Sequence, residues 1–146
     1  MNRLIALTCL LVVGLFSTLP GLQDPKEGSP LAKELRASID ANLDASNKRD
    51  LDAYMATIHP KSMSYEPTRR QMGELNKRYE LSFKVTHFSV MGSDADYAVA
   101  RIRQETRKVK GPEFRDNEVD SLQIFRKDKD AWKVWSSAVL EVKYFE

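Results

Sequence analysis

Tyr97-Ala98-Val99-Ala100-Arg101-Ile102-Arg103-Gln104-Glu105-Thr106-Arg107 is the stretch whose period decides the fold. Ala98, Ala100 and Ile102 share one parity, while Arg101, Arg103, Glu105 and Arg107 share the other. A two-residue period with apolar side chains on one side only describes a strand with one face on a core and one polar face. The neighbouring segments repeat the pattern. Residues 82–91 alternate around Phe83, Val85 and His87, and then Phe88 and Val90 take the opposite parity, which predicts a bulge. Residues 114–126 follow, and Trp132, Val134, Ser136, Ala138, Leu140, Val142 and Tyr144 alternate to the end. Gly92-Ser93-Asp94, Gly111-Pro112 and Lys127-Asp128-Lys129-Asp130 supply the turns between them. Four consecutive strands joined by short turns predict an antiparallel sheet.

Upstream of residue 81 the period is helical. Ser29-Pro30 offers an N-cap followed by a first-position proline, and Leu31, Leu35, Ile39 and Leu43 recur at four-residue steps. Asp50 caps a shorter segment in which Leu51, Tyr54, Met55 and Ile58 form one stripe, stopped by Pro60. Thr68-x-x-Gln71 resembles a capping box, with Met72, Leu75 and Tyr79 as the third stripe. Three helical segments and then four strands place the chain in the α+β class, with a curved sheet.

The chain has 146 residues and a formal net charge of +2, with 42% hydrophobic and 9% aromatic residues. That length fits one domain, and that composition supports a packed core. The charge is balanced and no basic stripe is concentrated, so nucleic acid is not an expected partner. Its single cysteine, Cys9, excludes a disulfide framework, a four-cysteine zinc site and a CxxC redox centre.

Cys9 lies inside a segment of different character. Residues 1–21 carry one charged side chain, Arg3, followed by an apolar run over residues 4–16 and then Ser17, Thr18, Pro20 and Gly21. As a helix that run spans roughly 20 Å at about 1.5 Å per residue, short of the roughly 30 Å of a bilayer core. Residues 1–21 therefore read as a secretory signal peptide, with an uncleaved membrane anchor as the alternative. Export to a periplasmic or extracellular location follows. The remainder is close to neutral and free of thiols. Residues 22–30, Leu-Gln-Asp-Pro-Lys-Glu-Gly-Ser-Pro, read as a flexible linker ahead of a domain over residues 31–146.

Two segments carry a resemblance. Arg49-Asp50-Leu51-Asp52-Ala53-Tyr54-Met55-Ala56-Thr57-Ile58-His59-Pro60 is a short capped helix ending at a proline turn, and Trp132-Lys133-Val134-Trp135 follows an acidic hairpin turn. With this order of elements the chain resembles the NTF2-like superfamily, which includes SnoaL-like proteins and ketosteroid isomerases. The resemblance implies a cone in which about three N-terminal helices close a curved four-stranded sheet around a cavity. It also implies homodimers formed through the outer sheet face, here the stripe Arg101, Arg103, Glu105 and Arg107.

In the isomerases of that superfamily a carboxylate before a proline acts as general base, and the resemblance puts Glu66 of Tyr65-Glu66-Pro67 there. The first-helix position of the oxyanion-holding tyrosine falls on Asn42. The third-strand position of a neutral acid falls near Ser121, beside Asp120. Asn42 and Ser121 are weaker donors toward an enolate, so the usual isomerisation is not expected. His87 shares the parity of Phe83 and Val85 and so is expected to face the cavity. His59, ending the second helix, is expected to favour the negative end of its dipole. The two histidines lack metal-ligand spacing, and no metal or cofactor is expected.

Tyr54, Met55, Met72, Tyr79 and Trp132, together with Asn42 and Ser121, are the expected pocket-lining residues, suited to a small apolar ligand. The leading expectation is an exported binding or structural domain without catalysis. The rivals are a SnoaL- or isomerase-type enzyme using Glu66 as base, assisted by His87 or Asp120, and a dimeric assembly module of the cell envelope.

Overall fold

A computed structural model describes residues 28–146; the expected signal peptide and most of the expected linker lie outside them. The first helix, α1, runs Pro30–Asn47, and the Ser29 hydroxyl accepts the Ala32 N–H at 3.2 Å. Its buried stripe is Leu35, Ile39 and Leu43, as the four-residue spacing requires. Arg49 at φ 57° turns the chain into α2, Leu51–Ala56, whose Ala53 N–H bonds to the Asp50 carboxylate at 2.9 Å.

The stop after α2 is more than a proline turn. His59 N–H donates to the Val134 carbonyl at 2.8 Å, and Val134 N–H donates to the Thr57 carbonyl at 2.9 Å. Ile58 thereby forms a parallel bridge with Val134. His59 is buried, accepts the Lys61 N–H at Nδ1 and sets its ring edge-on to Trp135, with 5.0 Å between centroids. It anchors this docked segment, a different role from the helix-dipole partner expected from sequence.

The third helix, α3, spans Tyr65–Arg78 and begins three residues before the expected capping box. Pro67 does not prevent this, because first-turn N–H groups have no acceptor within the helix and a missing one costs nothing there. Glu66 is consequently a first-turn helical residue.

Four strands follow as a meander in the order β1-β2-β3-β4, every pair antiparallel: β1 Glu80–Ser93, β2 Tyr97–Lys110, β3 Asn117–Asp128 and β4 Ala131–Tyr144. Gly111, at φ 131°, makes the turn after β2; a Cβ there would meet the Arg78 carbonyl at 2.8 Å. The β2–β3 register is unbroken, whereas the β1–β2 and β3–β4 ladders carry the irregularities, one of them an extra Val109 near the end of β2. In β1 the predicted bulge falls at Thr86, between Val85 and His87, with a second at Met91. In β4 the extra residues are Trp135 and Leu140. Each bulge bends its strand and increases its twist.

The core lies between α1 and the inner sheet face. Leu35, Ile39 and Leu43 pack with Ala98, Ala100, Ile102, Phe125 and Trp132. Phe125 is 0% exposed and sits opposite Ala98 in the ladder, so the small side chain on β2 leaves room for the large one on β3. Trp132 meets its one polar requirement by donating Nε1–H to Glu34 at 3.1 Å.

The outer face carries the polar parity of β2. Asp120 is 5% exposed there: Arg101 donates to both its oxygens, at 2.9 Å from Nε and 2.6 Å from Nη2, and Arg103 adds a bond at 3.1 Å. Hydrogen bonds from Arg101 above all, and from Arg103, hold this carboxyl at about 2 against the opposing effect of burial.

Two stability measurements test this account. Phe125→Ala should lower the unfolding free energy in urea by about 3–5 kcal/mol, whereas Met63→Ala, at a 94% exposed position, should stay within about 0.5 kcal/mol. Because the Asp120 pKa is depressed in the folded state, its stabilisation is complete above the ordinary carboxylate pKa of about 4 and lost as pH falls toward about 2. Asp120→Asn should therefore be less stable than the parent at pH 6, and the gap should close as pH falls through that window.

Candidate functional site

Between the helices and the inner sheet face lies a cleft of about 180 Å³. Each element contributes through its own periodicity. From α1 comes Asn42, beside Leu43 of the core stripe, and its Nδ2 donates to Thr57 Oγ1 at 2.6 Å. Thr57 in turn donates to the Tyr54 carbonyl at 2.7 Å, which fixes the end of α2 against α1. Tyr54 lines the cleft; burial raises its phenol pKa above the ordinary value, partly offset by a hydrogen bond from Asn42. At neutral pH its hydroxyl is thus protonated and able to donate.

Ser64 and Thr68 come from the start of α3, four residues apart and hence on one helical face. Gln123 of β3 sits opposite Ala100 and so belongs to the inner-face parity of Ser121 and Phe125. Ile58, Val134, Ser136 and Ser137 complete the lining. All the lining groups are neutral: amides, hydroxyls, a phenol and two aliphatic side chains. A pocket of this composition offers donors and acceptors in many directions and no strong general base.

The three expected catalytic residues are not brought to this cleft. Glu66 lies midway between Ser64 and Thr68, so the helix turns it to the opposite side, where it is exposed. His87 is displaced by the bulge: Thr86 is the extra residue, so His87 pairs with Arg103 of the outer face while Phe88 pairs with the buried Ile102. His87 is exposed, 3.3 Å from the Ser89 hydroxyl, at the rim of an open groove of about 610 Å³ between α1 and β1. Asp120 is opposite Arg103 on the other side and is occupied by its two arginines.

Of the expected pocket-lining residues, Asn42 and Tyr54 line the cleft. Met55 is buried, and Ser121 is buried with its hydroxyl 3.5 Å from the Ile102 carbonyl. Trp132 belongs to the core and borders a separate surface depression with Ser38 and Lys133. Tyr79 packs edge-on against Phe114, with 5.8 Å between centroids, and Met72 is half-buried on α3. Ser64, Thr68, Gln123, Ser136 and Ser137 were not expected. The parity of Phe125 was enough to point to Gln123, and a helix beginning at Tyr65 would have exposed the Ser64–Thr68 pair. Among the described residues, no three His, Cys, Asp or Glu side chains gather in a metal-binding arrangement.

Solved structures with this architecture come from several bacteria. A candidate aromatic ring hydroxylase from Novosphingobium aromaticivorans superposes with a TM-score of 0.66 at 15% identity, covering 78% of this chain and 92% of that one. A candidate dehydratase of the NTF2-like family from Streptomyces avermitilis gives 0.61 at 17% identity, over 73% and 91% of the two chains. A ketosteroid isomerase-like protein from Erwinia carotovora atroseptica gives 0.56 at 16%, over 77% and 98%. At these identities the likeness establishes the fold alone. No curated protein sequence matches the chain. A sequence family does: the profile of the anti-sigma-I factor RsgI9, C-terminal domain, matches residues 37–145, from the middle of α1 to the end of β4. With the greater part of α1, the other two helices, the whole sheet and the cleft inside that match, the chain belongs to the family of the RsgI9 C-terminal domain.

Proposed function

We propose that the protein is an exported binding domain whose cleft holds a small, uncharged, polar molecule and performs no acid–base chemistry on it. The observation that carries this reading is the neutrality of the lining, with Asn42, Tyr54, Ser64, Thr68, Gln123, Ser136 and Ser137 all bordering one space. A general base must reach the proton it takes within hydrogen-bond distance, and Glu66 points the other way. The sequence favoured an apolar ligand; the hydroxyl and amide lining supports a hydrogen-bonding one instead, because each buried polar group left without a partner costs about 1–3 kcal/mol.

Size narrows the ligand further. The cleft is below the roughly 300 Å³ at which pockets for drug-sized molecules begin, so its occupant is small. In this reading the bulged sheet and the three helices close as a cone around it. The family name supports a binding role in that it refers to a domain of a regulatory factor. Export rests on the character of residues 1–21; among the described residues no helix is long and apolar enough to cross a membrane.

Thermal unfolding in the presence of short polyols and primary amides, with phosphate and benzoate as charged controls, tests the proposal. A ligand at about ten times its Kd adds about 1.4 kcal/mol, which raises Tm by about 5 °C. That shift should appear with a neutral probe, vanish in Asn42→Ala and Gln123→Ala, and persist in Glu66→Gln. If only charged probes stabilise the protein, or Glu66→Gln abolishes the shift, the neutral-ligand reading fails.

A further inference from the structure

The sheet has two outer strands, β1 and β4, and β4 leaves part of its free edge without a partner. β4 is an outer strand, and near Val134 it is covered by the docked segment after α2. From Ala138 onward no such cover exists among the described residues. There Val139 is 62% exposed, Leu140 51%, Val142 41% and Tyr144 50%. A long, apolar, uncovered edge is a feature that proteins normally shield, because its backbone groups invite another strand.

The ladder shows which groups are free. Phe145 N–H donates to the Asp116 carbonyl at 2.9 Å, which makes that pair a hydrogen-bonded one. Bonded and non-bonded pairs alternate along an antiparallel ladder, so Lys143–Glu118 and Glu141–Asp120 face β3, while the N–H and C=O of Val142 and Tyr144 point outward. After the Leu140 bulge the register is regular from Glu141 to Tyr144.

We propose that two copies of this chain join antiparallel along β4, about a two-fold axis at Val142. In that register Val142 faces its own symmetry mate with outward groups on both sides, so the two residues exchange both hydrogen bonds. Glu141 then stands opposite Lys143 of the other copy, twice by symmetry, as a non-bonded pair whose Cα atoms approach to about 4.5 Å. Leu140 meets Tyr144, whose ring already lies under the Arg115 guanidinium at 4.4 Å. The neighbouring two-fold registers fail on both counts. Centring on Glu141 or on Lys143 opposes like charges and sets inward-pointing backbone groups against each other. The outer sheet face has no comparable unmet demand, since Arg101 and Arg103 are engaged by Asp120 within the chain.

Sedimentation velocity on the full chain, from about 1 to about 200 μM, reads the association directly. A dimer is expected, with Glu141→Lys and Lys143→Glu each weakening it about tenfold or more, and with the double variant Glu141→Lys/Lys143→Glu recovering most of the loss. Arg103→Ala, on the outer face, should leave it unchanged. Circular dichroism establishes that each variant is folded. A parent that stays monomeric overturns the proposal, as does a dimer indifferent to both single reversals, which is how association through the apolar run at residues 4–16 would behave. A double variant as weak as the singles, or a dimer lost in Arg103→Ala alone, also overturns it.

Discussion

The seating of α1 on two alanines of β2 is the contact on which the other features depend. Ala98 and Ala100 are fully buried, and their small size lets Leu35, Ile39 and Leu43 share one layer with Phe125. A larger side chain at either alanine would push the helix away, because a packed interior absorbs an added methylene only by strain. The same seating places Asn42 one residue from Leu43, at the mouth of the space beside the core. The core thus determines where the first polar group of the cleft stands.

A second constraint is the backbone pairing of Thr57, Ile58 and His59 with Val134. By itself α2 is too short to be a stable helix, since isolated helices below about 12–15 residues are marginal. Its position is set at both ends, by the Asp50 cap and by this strand-like docking. The Ser62 hydroxyl extends the attachment by donating to the Trp135 carbonyl at 2.6 Å. Through this segment α3 begins beside β4, and Ser64 and Thr68 arrive opposite Gln123 and Ser136. The cleft is the space left between two well-anchored layers.

Most of the architecture was legible in the sequence, because it follows from periodicity. The α1 stripe, the Asp50 cap, the four strands and the parity of Arg101 and Arg103 against Ala100 and Ile102 all survive in the structure. What could not be read was set by single-residue offsets. The start of α3 was hidden by Pro67, which usually signals a break but is harmless in a first turn. The docking of His59 on Val134 joins residues far apart in sequence and leaves no local pattern. For the cleft, Asn42 and Tyr54 came from helical spacing and resemblance. Its hydroxyl groups were missed because Ser and Thr are more often surface residues and carry no signature of their own.

The bulges of β1 and β4 show how much such an offset matters. In a strand, side chains alternate faces, so one extra residue exchanges the two faces for everything beyond it. Without Thr86 as an insertion, His87 would lie on the inner face and the sheet would offer an imidazole to the helices; with it, the imidazole stands outside, next to Arg103. The insertion of Trp135 acts in the same way on β4. Val134 faces inward opposite Phe125, and Ser136 pairs with Ile124 only because one residue is skipped. The extra Leu140 restarts the register at Glu141 and so aligns the free edge of Val142 and Tyr144. The β2–β3 ladder, whose register is unbroken, carries the core; the ladders with β1 and β4, which hold the bulges, decide what the core's surroundings present to other molecules. A sheet divided in this way keeps its packing constant while the chemistry of its faces changes by insertion of a single residue.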